Sequence, residues 1–179
     1  MGRKIESMTQ EVIESPLSGE ELAVRYRALC DDPRFANVPG KIELDVWGRM
    51  VMSPPSNYHG AVQTALATRL ASLGGRVFTE ASVLTAAGLF VADVAWASLA
   101  FMQAHGFETP FTQAPELCAE VASPSNSRKE LREKTDAYLA AGAEEVWIVY
   151  TESKRCEFYG KDGRLQRSRF AVDLSKLFD

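Results

Sequence analysis

The sequence predicts a single α/β domain in which helices cover a mixed β-sheet. Segments with helical spacing alternate with apolar, β-branched runs along the chain, which is typical of a layered α/β fold. One run, at residues 145–151, is apolar on both faces, as expected of a central strand that is covered on two sides. The length of 179 residues is enough for one domain with a sizeable core.

The first half of the domain is predicted to contain a helix, a hairpin and a second helix. Ser18 stands three residues before Glu21, a capping-box spacing that opens a helix. The alternation of apolar residues over 41–53, interrupted by a turn at Gly48, predicts a β-hairpin. Apolar residues then recur every three or four positions over 57–73 and end at two glycines, which predicts a helix.

The second half is predicted to contain strands around one long helix. Ser127 and Glu130 repeat the capping-box spacing, and Gly142 ends the helix that follows them. The other predicted elements are an antiparallel pair at 77–84 and 89–97, a short helix near Phe101, a strand at 116–122, the central strand at 145–151, a hairpin turning at 161–163 and a short terminal element at 172–178.

Composition and targeting signals limit the class of protein. Hydrophobic residues make up 46% and charged residues 25% of the chain, as in ordinary globular proteins. No apolar run approaches the roughly 18 residues that cross a bilayer, so we expect no membrane partner. Residues 1–15 lack the apolar core of a secretory signal, and we predict that they form a flexible lead-in to one domain at 16–179.

The cysteines, histidines and net charge argue against some kinds of site. Three scattered cysteines form neither a zinc-binding spacing nor a disulfide framework, so we expect reduced thiols and a cytoplasmic protein. Two histidines argue against a histidine-rich zinc site. The net charge of -4 and the lack of a basic, aromatic-interleaved stretch argue against nucleic-acid binding through bulk positive charge. A bound divalent cation would reverse the local sign of a carboxylate cluster.

Two carboxylates interrupt apolar strands. Asp93 lies within the run at 89–96, and Glu120 lies within the run at 117–122. A carboxylate in such a run either reaches solvent at a strand end or is held by a partner, because burial of an unpaired carboxylate is very costly. Each residue alone has the alternative interpretation of a solvated edge residue. Together, on neighbouring strands, they could bind a hard cation through oxygen ligands.

A lysine and two weaker candidates complete the predicted site. At about 100° per residue, Lys134 shares the inward-facing stripe of its helix with Leu131 and Tyr138. It either extends its ammonium past the edge of the packing face or points toward the two carboxylates, where it would stabilise charge on a phosphate. His59 at a helix start and Glu43 before a turn are supporting candidates, each with a structural role as the alternative.

The order of these motifs resembles the "putative restriction endonuclease" family of small proteins, which belongs to the PD-(D/E)XK nuclease superfamily. The resemblance extends from about residue 18 to the end of the chain, and no single motif is specific alone. The matching stretches are Ile42-Glu43-Leu44 before Gly48, Met52-Ser53-Pro54 with His59, Val91-Ala92-Asp93-Val94, Pro115-Glu116-Leu117, residues 120–125, Lys134 with Tyr138 and Gly142, and residues 145–149.

The resemblance implies a restriction-endonuclease-like fold, with a central mixed β-sheet flanked by helices and the active site where two strands diverge. It also implies a Mg²⁺ ion, or Mn²⁺ in its place, held by Asp93, Glu120 and the main-chain carbonyl of Val121. The motif's lysine, expected two residues after Glu120, is replaced by Ala122. In this family the lysine is expected on the following helix, where it would be Lys134.

The resulting hypothesis is a metal-dependent endonuclease that hydrolyses phosphodiester bonds of DNA. Asp93 and Glu120 would be the metal ligands, Lys134 the charge-stabilising lysine, and Glu43 or His59 would line the pocket. One alternative is a phosphodiesterase that acts on RNA or a small substrate. Another is a binding or assembly protein that keeps the nuclease fold without its chemistry, such as a homodimer formed through an exposed sheet edge.

Overall fold

The computed structural model describes residues 15–36, 38, 40–124 and 126–179. The predicted lead-in therefore lies outside the described residues, except for Ser15. The helices and strands in chain order are α1 (Gly19–Asp31), β1 (Lys41–Asp45), β2 (Met50–Ser53), α2 (Asn57–Leu70), β3 (Arg76–Thr85), β4 (Gly88–Ala97), α3 (Leu99–His105), β5 (Leu117–Ala122), α4 (Arg128–Ala140), β6 (Glu145–Tyr150), β7 (Arg155–Gly160) and β8 (Gly163–Leu165). Among these helices, none has the length and apolar character needed to cross a membrane. The three cysteines are free thiols, as predicted.

One sheet contains these eight strands, and its order confirms the predicted mixed α/β class. The order is β2-β1-β4-β5-β6-β7-β8, and β3 pairs with β4 beside this path. Strands β5 and β6 are parallel and are joined by α4, which fits the requirement of a parallel pair for a long crossover connection. The other pairs are antiparallel.

The two edges of β4 are used differently, and this asymmetry creates the candidate site. Strand β3 pairs along one edge from Gly88 to Ala97. Strand β1 pairs with β4 at Gly88 and Leu89, and β5 pairs with β4 from Val94 to Trp96. Because β3 occupies one edge, β1 and β5 share the other, and they diverge around residues 90–93.

Helices cover the two faces of the sheet. On the α4 face, Cys118 of β5 packs in a buried cluster with Tyr138 of α4. On the α2 face, Trp147 of β6 packs with Leu66 of α2. Full burial of side chains of this size stabilises the fold by about 1.5–3 kcal/mol each. Because successive residues of a strand point to opposite faces, Glu120 projects from β5 on the same side as Cys118.

The helix caps show which local predictions hold. At α1 the capping box is complete, because the Ser18 hydroxyl accepts from the Glu21 N–H while the Glu21 carboxylate accepts from the Ser18 N–H. At α4 it is half formed. The Ser127 hydroxyl accepts from the Glu130 N–H at 3.1 Å, but the Glu130 carboxylate accepts from the side-chain amide of Asn126 at 2.9 Å. The prediction of a second capping box is therefore only half right, because the Asn126 amide takes the Glu130 carboxylate that would otherwise accept from the main chain of Ser127.

The C-terminal segment differs from the predicted terminal element. Residues 172–178 form irregular chain followed by turns, not a helix or strand. Leu177 is nonetheless 1% exposed and packs in the α2-face cluster. Apolar residues in this segment are therefore held by packing onto the domain, and their pattern in the sequence does not indicate a regular element.

Candidate active site

Side chains fill the gap that β1 and β5 leave along β4. The Val91 N–H donates to Glu43 Oε1 at 2.8 Å, and the Val91 carbonyl accepts from Lys41 Nζ at 2.8 Å. The Asp93 carbonyl accepts from the side-chain amide of Gln63 at 2.9 Å. Buried main-chain groups need partners, so these side chains take the place of a paired strand. As a result, ionisable side chains of β1 and a polar side chain of α2 are hydrogen-bonded to the main chain of β4 at the gap.

Asp93 is a buried carboxylate whose two oxygens have different surroundings. It is 2% exposed. Its Oδ2 accepts from the Val121 N–H at 2.7 Å, whereas its Oδ1 lies 2.8 Å from Lys41 Nζ and 3.5 Å from His59 Nε2. Burial opposes ionisation of Asp93, but the hydrogen bond with His59 and the ammonium of Lys41 outweigh it and lower the pKa to about 2. Asp93 is therefore ionised at neutral pH.

The carboxylate of Glu120 accepts hydrogen bonds from three side chains, one at Oε1 and two at Oε2. The Tyr138 hydroxyl donates to its Oε1 at 2.8 Å. Its Oε2 lies 3.3 Å from both Lys41 Nζ and Lys134 Nζ. Burial and the neighbouring carboxylates raise the pKa of Glu120 in spite of the two ammonium groups. Two adjacent carboxylates thus have pKa values shifted in opposite directions, and Glu120 is the one that would gain most from a further cation.

Lys134 turns inward, so the alternative in which its ammonium extends past the packing face is wrong. It is 5% exposed and shares the buried stripe of α4 with Tyr138, as its spacing predicts. Its Nζ lies 2.8 Å from Glu43 Oε1 and 3.3 Å from Glu120 Oε2, and 5.7 Å from the centre of the Phe90 ring. Glu43 therefore holds the lysine of α4 against the carboxylate of β5.

Lys41 is a member of the cluster that the sequence reasoning missed. Its Nζ lies 2.8 Å from Asp93 Oδ1, 3.3 Å from Glu120 Oε2 and 3.9 Å from Glu43 Oε1. Burial opposes its charge, but the three carboxylates raise the pKa of Lys41 well above its usual value. The available signal was its spacing, since residues two apart in β1 share a face and Lys41 is therefore on the same side as Glu43.

Helix α2 brings His59 to the same point. The Ser56 hydroxyl caps this helix by accepting from the His59 N–H at 3.1 Å, and the His59 imidazole then reaches Asp93. The five predicted side chains therefore converge on one cluster, and they are Asp93, Glu120, Lys134, Glu43 and His59. The main chain of Val121 also belongs to it, and the contact seen is its N–H donating to Asp93.

A cleft of about 560 Å³ opens onto this cluster. Its lining includes the half-buried Lys41 and the buried Asp93 and Glu120, and its exposed lining includes Pro54 on the loop before α2 and Glu80 of β3. The volume is within the range of about 300–1,000 Å³ that is common for ligand pockets. The charged groups are therefore accessible to a ligand from one side.

The net charge and the oxygen atoms of the cluster are of the kind that attracts a divalent cation. Three carboxylates against two ammonium groups leave one excess negative charge, and carboxylate oxygens are preferred ligands of Mg²⁺. The Lys41 ammonium lies between Asp93 and Glu120, at 2.8 Å and 3.3 Å from their oxygens. Among the described residues no group of three His, Cys, Asp or Glu side chains is arranged as a metal site, and the ammonium groups stand between the carboxylates.

A mixed sheet flanked by helices, with an acidic pair and a lysine at diverging strands, defines a protein of the restriction-endonuclease-like class. A family can be assigned from the sequence. The sequence profile of the Uma2 family, described as "Putative restriction endonuclease", matches residues 24–177 of this chain. The chain belongs to this family. The family description places it among nucleases, which are hydrolases of phosphodiester bonds.

A solved structure shares the fold. The crystal structure of a putative nuclease belonging to DUF820 from Anabaena variabilis ATCC 29413 matches with a TM-score of 0.59 and 18% identity. The match covers 80% of this chain and 94% of that chain. At this identity the similarity is evidence for the fold alone. Among curated proteins no sequence is significantly similar to this chain.

Proposed function

We propose that this protein is a Mg²⁺-dependent endonuclease that hydrolyses phosphodiester bonds of DNA, with Mn²⁺ able to replace Mg²⁺. The observation that carries the proposal is the convergence of Asp93, Glu120 and Lys134 at the gap in the sheet, beneath an open cleft. Membership of a nuclease family supports the reaction class.

In this proposal Asp93, Glu120 and the main-chain carbonyl of Val121 are the metal ligands. When held by these groups, the ion would supply positive charge that polarises the phosphodiester and lowers the pKa of water. The Val121 N–H holds Asp93 Oδ2, which leaves Oδ1 facing the groups of the cleft. The Tyr138 hydroxyl holds Glu120 Oε1, which leaves Oε2 for a cation. Both carboxylates are therefore oriented before a ligand binds.

In the same proposal, Lys134 and His59 contact the phosphate group of the substrate, and Glu43 positions Lys134. Lys134 stabilises the negative charge that develops on the phosphate in the transition state. Glu43 is a positioning residue, because its 2.8 Å ion pair fixes the Lys134 ammonium at the cleft. His59 lies beside Asp93 Oδ1 and lines the same cleft, where it contacts the bound phosphate.

The proposal is tested by incubating the protein with single- and double-stranded DNA and RNA in Mg²⁺, Mn²⁺ or EDTA. We expect cleavage of DNA that requires a divalent cation. Cleavage of RNA alone would replace the DNA substrate with an RNA substrate. A folded protein that cleaves none of these polymers and binds no Mn²⁺ would contradict the nuclease function.

The Lys41→Met variant is expected to bind Mn²⁺ more tightly than the wild type. A bound cation competes with the Lys41 ammonium for Asp93 Oδ1 and Glu120 Oε2, because a metal ion and an ammonium group on the same oxygens repel each other. We expect the dissociation constant to fall at least roughly tenfold, equivalent to about 1.4 kcal/mol, as measured by isothermal titration calorimetry. Lys129→Met, on the exposed side of α4, is the control. Equal or weaker binding by Lys41→Met would contradict this competition.

A binding or assembly protein that keeps the fold without hydrolysis is the second candidate. One observation favours it, because Lys41 and Lys134 together pair with all three carboxylates. Within the described part of the chain, no buried polar side-chain atom lacks a hydrogen-bond partner. If neither the wild type nor Lys41→Met binds Mn²⁺, this candidate is supported, since a scaffold has no need of a metal.

We propose further that two copies of the chain form a homodimer through β2. This strand is at one end of the sheet, and its side chains Met50, Val51 and Met52 are 44%, 48% and 43% exposed. An unpaired edge with apolar side chains favours pairing with another strand. Sedimentation velocity should detect a dimer that Val51→Lys dissociates, and a wild type that remains monomeric at micromolar concentration would refute it.

A further inference from the structure

A second cleft, separate from the candidate active site, is rich in arginine and tyrosine. It has a volume of about 570 Å³ and lies between α4 and the strands β6, β7 and β8. Its aromatic and basic lining residues are Arg128, Arg132, Arg155, Arg164, Tyr150 and Tyr159. We call this cleft the arginine groove. Asp136 and Glu157 also line it, so the groove has an excess of two positive charges although the chain has a net charge of -4.

The arginine groove corrects the expectation that the chain lacks a basic, aromatic-interleaved patch. Its residues are dispersed along the sequence, with two arginines on α4 and the others on β7 and β8. Strand pairing assembles the second group, because Tyr150 is opposite Arg155 and Tyr159 is opposite Arg164. Tertiary structure therefore concentrates positive charge that no local stretch of sequence contains.

Glu157 anchors the strand side of the groove. It is 7% exposed, and its carboxylate accepts from the hydroxyls of Tyr159 at 2.7 Å and Tyr150 at 3.2 Å. Arg164 and Arg155 approach it at 3.2 Å and 3.5 Å. Burial opposes ionisation of Glu157, but the Tyr159 hydrogen bond and the arginine charges lower its pKa. The carboxylate is therefore ionised and holds both guanidinium groups in place.

The arginines retain donors for a ligand. The side chains of Arg155 and Arg164 are 54% and 63% exposed, and each guanidinium has five N–H donors. A purely structural ion-pair network around Glu157 would not require the arginines of α4. Arg128 and Arg132 are exposed and, within the described residues, take part in no ion pair. Their guanidinium groups are therefore available to a ligand, with Asp136 as the one carboxylate of α4 in the groove.

The arginine groove and the active-site cleft border the same helix, α4, and share no lining residue. Glu120 of β5 is in register with Ile148 of β6, and Ile148 is in register with Glu157 of β7. Adjacent strands are about 4.8 Å apart, so the main chains at Glu120 and Glu157 are separated by roughly 10 Å. Helix α4 is shared, because Lys134 lines the active-site cleft while Arg132 lines the groove.

We propose that the arginine groove binds the sugar–phosphate backbone of the DNA whose cleaved bond lies at Asp93 and Glu120. This inference rests on the proposed nuclease function and adds the surface that holds the substrate. Guanidinium groups bind phosphate oxygens through paired N–H donors. Contacts to phosphates carry no direct sequence information. The groove therefore contributes affinity and orientation, and it does not select a recognition sequence.

The test compares the wild type with Arg128→Gln/Arg132→Gln. Glutamine keeps a long side chain with good helix propensity, and this change leaves the pairs of Glu157 intact. Binding of a short fluorescent DNA, single- or double-stranded, is measured by anisotropy in EDTA at several salt concentrations. We expect weaker binding and a slope of log K against log salt that is less steep by roughly 1.4–1.8 for two lost phosphate contacts.

The matched control is Arg25→Gln/Arg76→Gln, which removes the same charge from exposed positions outside the groove. It should bind DNA with the wild-type salt slope. Equal slopes in all three proteins, or a wild type that binds no DNA, would overturn the groove assignment. Tighter binding of RNA than of DNA would overturn the choice of DNA. DNA binding through the groove without cleavage in Mg²⁺ would contradict the proposed hydrolysis and leave the groove assignment intact.

Discussion

An Asp93→Asn protein is expected to remain folded and to lose about 10³-fold or more of its metal-dependent cleavage rate. Asparagine retains an oxygen that can accept the Val121 N–H, which lies 2.7 Å from Asp93 Oδ2. It removes the negative charge from the oxygen that faces Lys41 and His59. A metal supplies several kcal/mol to charge stabilisation, and each 1.4 kcal/mol corresponds to roughly tenfold in rate.

Initial rates of DNA cleavage in Mg²⁺ measure this loss, and circular dichroism verifies that the variant is folded. The control is Asp173→Asn, because Asp173 is exposed and its carboxylate caps the Ser175 N–H, a contact that asparagine can also make. This control should cleave at the wild-type rate. If Asp93→Asn cleaves within a few-fold of the wild type, Asp93 is not a metal ligand of the reaction.

Replacing Lys134 with methionine is expected to lower the free energy of unfolding by about 3–5 kcal/mol. Lys134 is 5% exposed and is paired with Glu43 and Glu120. Methionine fills a similar volume and favours a helix, so the loss comes from the two carboxylates. Glu43 and Glu120 would stay buried with one fewer positive partner, and a buried charge without compensation is strongly destabilising.

Urea unfolding measures this loss, and two further variants identify its cause. Lys129→Met changes an exposed lysine of the same helix, whose side chain is 85% exposed, and should alter stability by less than about 0.5 kcal/mol. Adding Glu43→Gln to Lys134→Met should recover part of the loss, because it removes one of the uncompensated charges. A loss below about 1 kcal/mol for Lys134→Met would contradict a buried ion pair of this kind.

Prediction of helices and strands from the sequence succeeded where short-range forces decide the outcome. The capping box at Ser18 and the helical spacing of α4 operate within a few residues, so the sequence contains the whole signal. The apolar pattern of β6 likewise predicted a central strand with two covered faces. The half-formed capping box at Ser127 shows the limit, because Asn126 competes for the same carboxylate.

The sequence pointed to residues that violate a local pattern, and the structure brings these residues together in one cluster. Asp93 and Glu120 are carboxylates within apolar strands, and Lys134 is a cation on an inward helical stripe. Each violation has to be compensated by a partner, since buried charges are costly. Lys41 violates no such pattern at the start of β1, and only the divergence of β1 from β4 directs its ammonium to Asp93.

The sequence by itself determined the α/β class, most of the helix and strand positions and the choice of Asp93, Glu120 and Lys134 as candidates for the site, because these follow from periodicity and from the cost of burying charge. Only the tertiary structure decided that β1 and β5 share one edge of β4, that Lys41 stands between Asp93 and Glu120, and that dispersed arginines form one groove. These outcomes depend on strand order and register. Strand order, and the register of strands that no hairpin turn joins, bring together residues that are distant in the chain, and no local stretch of sequence specifies them.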